Sequence, residues 1–427
     1  MKFLLKIILI IIILGVVLLG LLQIDDDLTP ETKAWIENTQ KAVATDNDAY
    51  FYFLGLMAPE NADPIEVGKT IHQKVLAQPI PEVTGKPQPD NDYFGIYQVD
   101  NGLRVQPNRI CRVFNAICFN ELVNKKGKIE KLIQNNATLL TRYQTFLDMP
   151  DYQLMHPIGN WQSMPRYQHL VEANNINLIA LLAIDDENQL NHQFSQLLKQ
   201  TRTKLAQSGS LIEKMIYVAL VNHNLEFYNL LYINNIIQKP QSFTKLSLEE
   251  KSLKNVMGYE TLSGSAMSNH FEFPWYSLIK KAVIKKNMTL NYRYEFVRQY
   301  SELSLLPPHQ QLDADDTEKY KPSELSLMDK YRNYSGWVLN TVADAAYDDY
   351  IFRVSDLDAK IAVLNWRLQQ PHNADINQSY LEQYDTAKLN PYKTGSFFIK
   401  EESDKQRLLC VPLEQHRDPR NVRCVQL

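Results

Sequence analysis

Hydrophobic and polar positions along this chain fall into three successive textures. From Phe3 to Leu22 the side chains are almost wholly apolar, interrupted only by Lys6, and three acids follow at Asp25, Asp26 and Asp27. At 1.5 Å per residue, a helix of this length matches a hydrocarbon core roughly 30 Å thick. The run ends Gly-Leu-Leu-Gln-Ile-Asp-Asp-Asp, without a small-residue cleavage site or a cysteine for lipid attachment. A retained single-pass anchor is therefore expected rather than a cleaved signal peptide. Lys2 and Lys6 precede the run and the acids follow it, which places the N-terminus in the cytoplasm and the bulk of the chain in a bacterial periplasm.

The second texture, from about residue 28 to residue 389, is helical. Thr29, Pro30 and Glu31 have the chemistry of a helix start, and the spacing predicts a helix over 29–45. Asp63-Pro64-Ile65-Glu66 predicts another, with Asp63 as its cap. Four prolines at 79, 81, 87 and 89 mark an extended connector. Tyr93 to Val105 contains Asn101-Gly102 between apolar runs and predicts a hairpin, the alternative being an irregular segment ordered by a local disulfide. Helical spacing resumes over 120–148, and after a turn-rich stretch it dominates 166–237. Short connections there, and the Ser210/Glu213 pair of a capping box, predict helical hairpins in an antiparallel array without a strict repeat. Ser247-Leu-Glu-Glu250 repeats the capping logic. A long helical region is expected over 328–369, with Ser355 and Asp358 capping a new helix inside it.

From Asn390 the pattern changes again. Segments 396–400, 407–413 and 421–427 read as strands of a small sheet that must rest on the helices to be stable. The expected architecture is mainly α: a transmembrane anchor and cytoplasmic tip (1–27), a helical part with a Pro-rich connector and the Cys111/Cys118 loop (28–165), a helical array (166–389), and a C-terminal β-hairpin or three-stranded sheet (390–427).

Composition adds compartment and exclusions. Forty-nine acids against 45 basic residues give a net charge of -4, which argues against a nucleic-acid partner. The four cysteines, Cys111, Cys118, Cys410 and Cys424, allow three pairings. Local pairing is the simplest, and such bridges persist in an oxidising compartment. Free thiols and a zinc site remain alternatives, although neither spacing matches the usual ligand pairs.

Candidate chemistry is sparse. The nine histidines form no H-E-x-x-H pair, and no glycine-rich phosphate loop occurs. His223 reads as a surface or helix-end residue. His270 lies near Ser263, Ser265 and Ser268, but without the strand–turn setting of a nucleophile elbow. Asp344, Asp348, Asp349, Asp356 and Asp358 read as solvated positions or caps, and Asp313, Asp315 and Asp316 as a surface loop. No catalytic, metal or cofactor site is assigned. The one suggestive patch is basic and aromatic: Lys280, Lys281, Lys285, Lys286 and Arg293, a candidate face for anionic lipid or an acidic partner.

Four segments carry a resemblance: YFYFLGLMAPENADPIEVG (50–68), SGSLIEKMIYVAL (208–220), KNMTLNYRYE (286–295) and NPYKTGSFF (390–398). They resemble stretches of uncharacterised proteobacterial proteins with an N-terminal membrane helix and a helical periplasmic body. The resemblance implies a fold and a location, and it brings no catalytic residues. The reading is a scaffold, assembly factor or binding protein held at the inner membrane through residues 3–22 and serving an unidentified envelope protein. The alternative is an envelope hydrolase with a non-standard carboxylate, His or Ser site.

Overall fold

The computed structural model describes residues 6–10, 12–13, 15, 20, 24–44, 46–78, 95–106, 110–160, 164–269, 285–315, 326–344, 347–401, 407–412 and 422–427. Among them are seventeen α-helices and one three-stranded sheet. In chain order these are α1 (Pro30–Ala44), α2 (Asp48–Leu54), α3 (Pro64–Leu76), α4 (Ala116–Val123), α5 (Lys126–Asn135), α6 (Ala137–Asp148), α7 (Gln168–Leu181), α8 (Glu187–Gln207) and α9 (Leu211–Ile233). Then follow α10 (Leu248–Lys251), α11 (Lys254–Asn269), α12 (Lys286–Leu305), α13 (Pro308–Asp315), α14 (Leu327–Arg332), α15 (Tyr334–Asp344), α16 (Asp348–Leu368) and α17 (Gln378–Leu381). The strands are β1 (Phe398–Glu401), β2 (Arg407–Cys410) and β3 (Cys424–Gln426). Among the described residues no helix is long and apolar enough to cross a membrane; the expected anchor at 3–22 lies largely outside them.

Local signals set the helix starts. The Asp63 carboxylate accepts from Ile65 N at 2.8 Å, and Asn47, Asp186 and Ser326 cap α2, α8 and α14 in the same way. Ser247 and Glu250 form the complete reciprocal box. The expected helix over 120–148 is three helices, divided where Asn124 and Asn136 end one turn and Lys126 and Ala137 begin the next.

Three expectations are corrected. The hairpin predicted at 93–105 is absent: its described part is a 3₁₀ turn, Gly95–Tyr97, and a tight turn closed by Gly102 N to Val99 O at 3.0 Å. Asn101 takes the left-handed conformation (φ 56°), and Leu103 N donates to Met57 O, so the segment pairs with the α2–α3 loop rather than with itself. Ser355 and Asp358 cap nothing, because α16 runs unbroken through both; Ser355 instead donates to Gln311 Oε1 at 2.7 Å. Asp313 and Asp315 belong to α13 rather than to a loop.

The centre of the molecule is α9, which packs against α7, α8, α11, α16 and β3. One large apolar core runs from Ala49 on α2 through α9 to Val425 on β3, so it draws on the stretches 28–165, 166–389 and 390–427 alike. A second, smaller core joins α11, α12, α13 and the start of α16 around Met257, Phe296, Val297 and Leu303. Arg142 on α6 fixes the α2–α3 connection by donating to the carbonyls of Leu56, Ala58, Pro59, Glu60 and Ala62.

The sheet is antiparallel in the order β1-β2-β3, with Ile399 opposite Leu409 and Leu409 opposite Val425. It is held to the helices by Lys360 Nζ, which donates to Glu226 at 2.7 Å and to Cys424 O at 2.8 Å. Both disulfides are local, Cys111–Cys118 and Cys410–Cys424. The chain-entropy model gives about 3 kcal/mol for closing a loop of the second size. Asn175 holds the first loop in place, accepting from Val113 N and donating to Cys111 O.

Helices α2 and α3 cross at two glycines. A Cβ on Gly68 would lie 1.8 Å from Phe51 O, and one on Gly55 1.9 Å from Pro64 O. Both contacts are with backbone, which cannot swing aside. Gly68→Ala is therefore expected to lower stability by about 3 kcal/mol, read as a fall in the urea unfolding midpoint. An unchanged midpoint would show that the two helices separate freely.

Candidate binding groove and its buried base

Helix α1 buries Thr32 fully, with Trp35, Ile36, Thr39, Ala42 and Val43 half-buried on the same face. It rests on the body at discrete points, and Gly258 permits the closest of them: a Cβ there would meet Thr39 Oγ1 at 2.9 Å and Trp35 Nε1 at 3.2 Å. Trp35 packs on Tyr294 of α12 with ring centroids 5.6 Å apart. Between α1 and the body lies an open groove of about 650 Å³. Its walls are amphipathic: Trp35, Tyr259 and Tyr294 supply aromatic surface, and Asn38, Gln153 and Asn255 supply amide groups. The indole N–H of Trp35 has no hydrogen-bond partner. Such walls suit an extended polar and aromatic ligand surface, since aromatic side chains offer large apolar area with a polar handle.

The groove floor includes Tyr152 and Gly209, and both hold Glu213 behind it. Glu213 is fully buried at the start of α9. The Tyr152 hydroxyl donates to Oε1, and Gly209 N donates to Oε2 at 2.7 Å. The expected reciprocal box is thus shifted by one residue: Ser210 Oγ accepts from Glu213 N, while the carboxylate reaches back to Gly209. Burial pushes the Glu213 carboxyl up to about 7, against the opposing pull of its Tyr152 and backbone hydrogen bonds. Next to it, Lys214 is also buried and donates to Leu205 O at 2.8 Å; burial lowers its ammonium to about 7. Lys204 donates to Met149 O and lies 4.9 Å from the Phe146 ring centroid, and burial lowers it to about 8. Every donor and acceptor here is turned into the protein, so these charges organise the floor and do not face the groove.

The other sequence candidates are dispersed. Lys280 and Lys281 lie outside the described residues. Lys285 and Arg293 are buried, Arg293 over the rings of Phe296 and Tyr347 at 4.5 and 5.1 Å, and only Lys286 of the described three is exposed. Among these described residues the basic set is therefore split, one exposed cation beside two that are packed inside. His223 is a half-buried member of α9, stacked on Phe114 with centroids 3.7 Å apart, and desolvation drives its imidazole down to about 3. Ser263 stands beside Gly159 N, while His270 and the side chains of Ser265 and Ser268 lie outside the description. Asp356 and Asp358 are buried rather than solvated: Asp356 accepts from Tyr392 Oη at 2.8 Å, and Asp358 pairs with Lys251 at 2.5 Å. Among the described residues no group of three His, Cys, Asp or Glu side chains has metal-binding geometry.

A feature hidden in the sequence is the use made of the three acids after the apolar run. The start of α12 has no side-chain cap of its own, since Lys285 occupies that position. Asp25 serves instead, accepting from Asn287 N at 2.8 Å and Met288 N at 3.2 Å. Arg332 of α14 donates to Asp26 at 2.7 Å and to Ile24 O at 3.3 Å. Asn291 donates to Asp27 O and accepts from Thr29 N. A helix N-terminus with orphan amides favours a carboxylate, whichever part of the chain supplies it.

The raised carboxyl at Glu213 has a pH consequence. Its folded value lies above the ordinary value near 4.5, so between 4.5 and about 7 the folded state binds more protons than the unfolded chain. Its contribution to stability is complete below 4.5 and is lost as pH rises through about 7. Lys214, lowered to about 7, acts oppositely, adding stability as pH rises from 7 towards 10.5. Urea midpoints measured from pH 4.5 to 7 should therefore include a falling component that Glu213→Gln removes. An identical slope in the variant would contradict the assignment.

Comparison of this chain with protein-family models, with curated proteins and with solved structures returns no match.

Proposed function

We propose that the chain is a membrane-tethered binding or scaffold protein of the bacterial envelope, whose helical body receives a partner protein in the groove between α1 and the body. The carrying observation is the clamp on residues 24–29. The segment that follows the apolar run is fixed to α12 and α14 by Asp25, Asp26, Asp27 and Thr29, so the body is joined closely to whatever holds residues 3–22. The apolar run itself, its basic N-terminal flank and its missing cleavage site support the tether. The two local disulfides are consistent with an oxidising periplasm.

The groove favours binding over turnover. It is open, and among the described residues its lining includes a single carboxylate, Glu31, and no histidine or serine. An acid–base site needs titrating groups within reach of a substrate. Glu213 has a suitable proton affinity but lies fully buried with both oxygens occupied by internal donors. The hydrolase alternative therefore lacks an accessible carboxylate pair at this place.

The test is site-specific photocrosslinking from Asn38, an exposed groove residue, in membranes that contain the full chain. One discrete adduct with another envelope protein is expected. Asn38→Arg, which puts a long charged side chain into the groove, should reduce that adduct at least about tenfold while leaving the melting temperature unchanged. No adduct from Asn38, together with turnover of an envelope polymer by the purified chain, would replace this reading with the enzymatic one.

A further inference from the structure

We propose that Leu327, Met328, Tyr331 and Tyr334 form a foot that beds into the interfacial layer of the same bilayer that holds residues 3–22, an inference that rests on the tether reading above.

The four residues are among the most exposed large apolar or aromatic side chains described: Leu327 86%, Met328 64%, Tyr331 58% and Tyr334 57%. Leu327, Met328 and Tyr331 are spaced i, i+1 and i+4 and share one face of α14. The chain breaks at Asn333, and exposed Tyr334 opens α15 directly after that face. The opposite side is committed to the protein. Asn333 is buried, accepts from Lys285 N at 2.8 Å and donates to Thr289 Oγ1 at 2.9 Å; a Cβ on Gly336 would lie 2.2 Å from the same hydroxyl. The foot is therefore held outward by polar contacts made behind it.

Its position selects the occupant. Arg332, on α14 itself, donates to Ile24 O and Asp26, and Ile24 stands two residues beyond the apolar run. Two residues of extended chain reach only about 7 Å. A bilayer containing residues 3–22 must therefore begin within a short distance of this corner, closer than a second protein has to be. The composition also fits that boundary: tyrosines with an apolar body and polar tip concentrate at the lipid–water interface, and leucine and methionine enter the acyl edge. Charge does not select an anionic surface. Lys286, Lys330 and Arg332 are accompanied by Asp25, Asp26, Asp27 and Asp329, so the attraction comes from apolar area and changes little with salt.

The foot would also explain the clamp on residues 24–29. With one tether alone, the body pivots about the exit. A second contact at α14 fixes its tilt, and so fixes the direction in which the α1 groove opens.

The test uses the full chain with Met328→Cys, an exposed position in a protein whose described cysteines are all in disulfides. The thiol is labelled with an environment-sensitive fluorophore, and the protein is inserted into phosphatidylcholine–phosphatidylglycerol vesicles. Leu248→Cys is the control: it is exposed and lies towards the other end of α12, where Leu253 N donates to Ser304 Oγ. Twenty residues of helix separate the two ends by roughly 30 Å. The expected result is a blue-shifted emission at 328, quenched by nitroxide carried at the lipid interface and retained at high salt, with none of these at 248. Leu327→Glu with Tyr331→Glu should abolish the shift at 328 while the chain still floats with the vesicles. Flotation with a water-like emission at 328 would overturn the foot and leave the tether intact. A chain that does not float with the vesicles would overturn the tether, and the foot with it.

Discussion

Burial of most residues of α9 governs much of the remaining structure. Its apolar residues alone would sit anywhere in a helical core, but the helix also brings Glu213, Lys214, Asn224 and Asn229 into a space without water. Each unpartnered buried polar group costs about 1–3 kcal/mol, and charged ones cost more. The surrounding elements supply partners to these groups, Asn229 Oδ1 excepted. Tyr152 and Gly209 converge on Glu213, the end of α8 supplies a carbonyl to Lys214, and Asn174 and Thr201 close on Asn224. Asn229 donates to Gln426 O, and Glu226 accepts from Gln426 N and Lys360. Those last contacts position β3, so a short sheet that is marginal by itself becomes part of the core.

The element types were largely legible in the sequence, because cap chemistry is local. Asp63, Ser210 and Ser247 announced helix starts that the structure contains, and the two close cysteine pairs form the two local bridges. What escaped was whatever depended on a distant partner. Ser355 and Asp358 resemble caps, but Gln311 and Lys251 had already engaged them from other helices. Asn101-Gly102 made its turn, yet the flanking strand was drawn to Met57 instead of its own neighbour. His223 lies in the middle of α9 rather than at a helix end, half-buried on the less enclosed face with Ile216, Ala219, Asn222 and Glu226.

The candidate site was less legible still. The groove depends on α1 resting on α11 and α12 across Gly258 and Tyr294, a relation spanning more than two hundred residues of sequence. Nothing in the local pattern of Trp35 distinguishes a groove wall from core. Asp25, Asp26 and Asp27 could be read only as flanking charge, because the missing cap at Lys285 becomes apparent once α12 begins at residue 286. These acids join the two halves of the account. They cap a helix of the body, and in the sequence they begin three residues after the apolar run.

The central claim is that residues 3–22 are a retained membrane tether for this body. Alkaline carbonate extraction of membranes from cells making the full chain, with the intact mass measured on the same fractions, tests it most directly. A chain of full mass that stays with the lipid pellet is the predicted result. A soluble chain, or one shortened by removal of the apolar run, would contradict it.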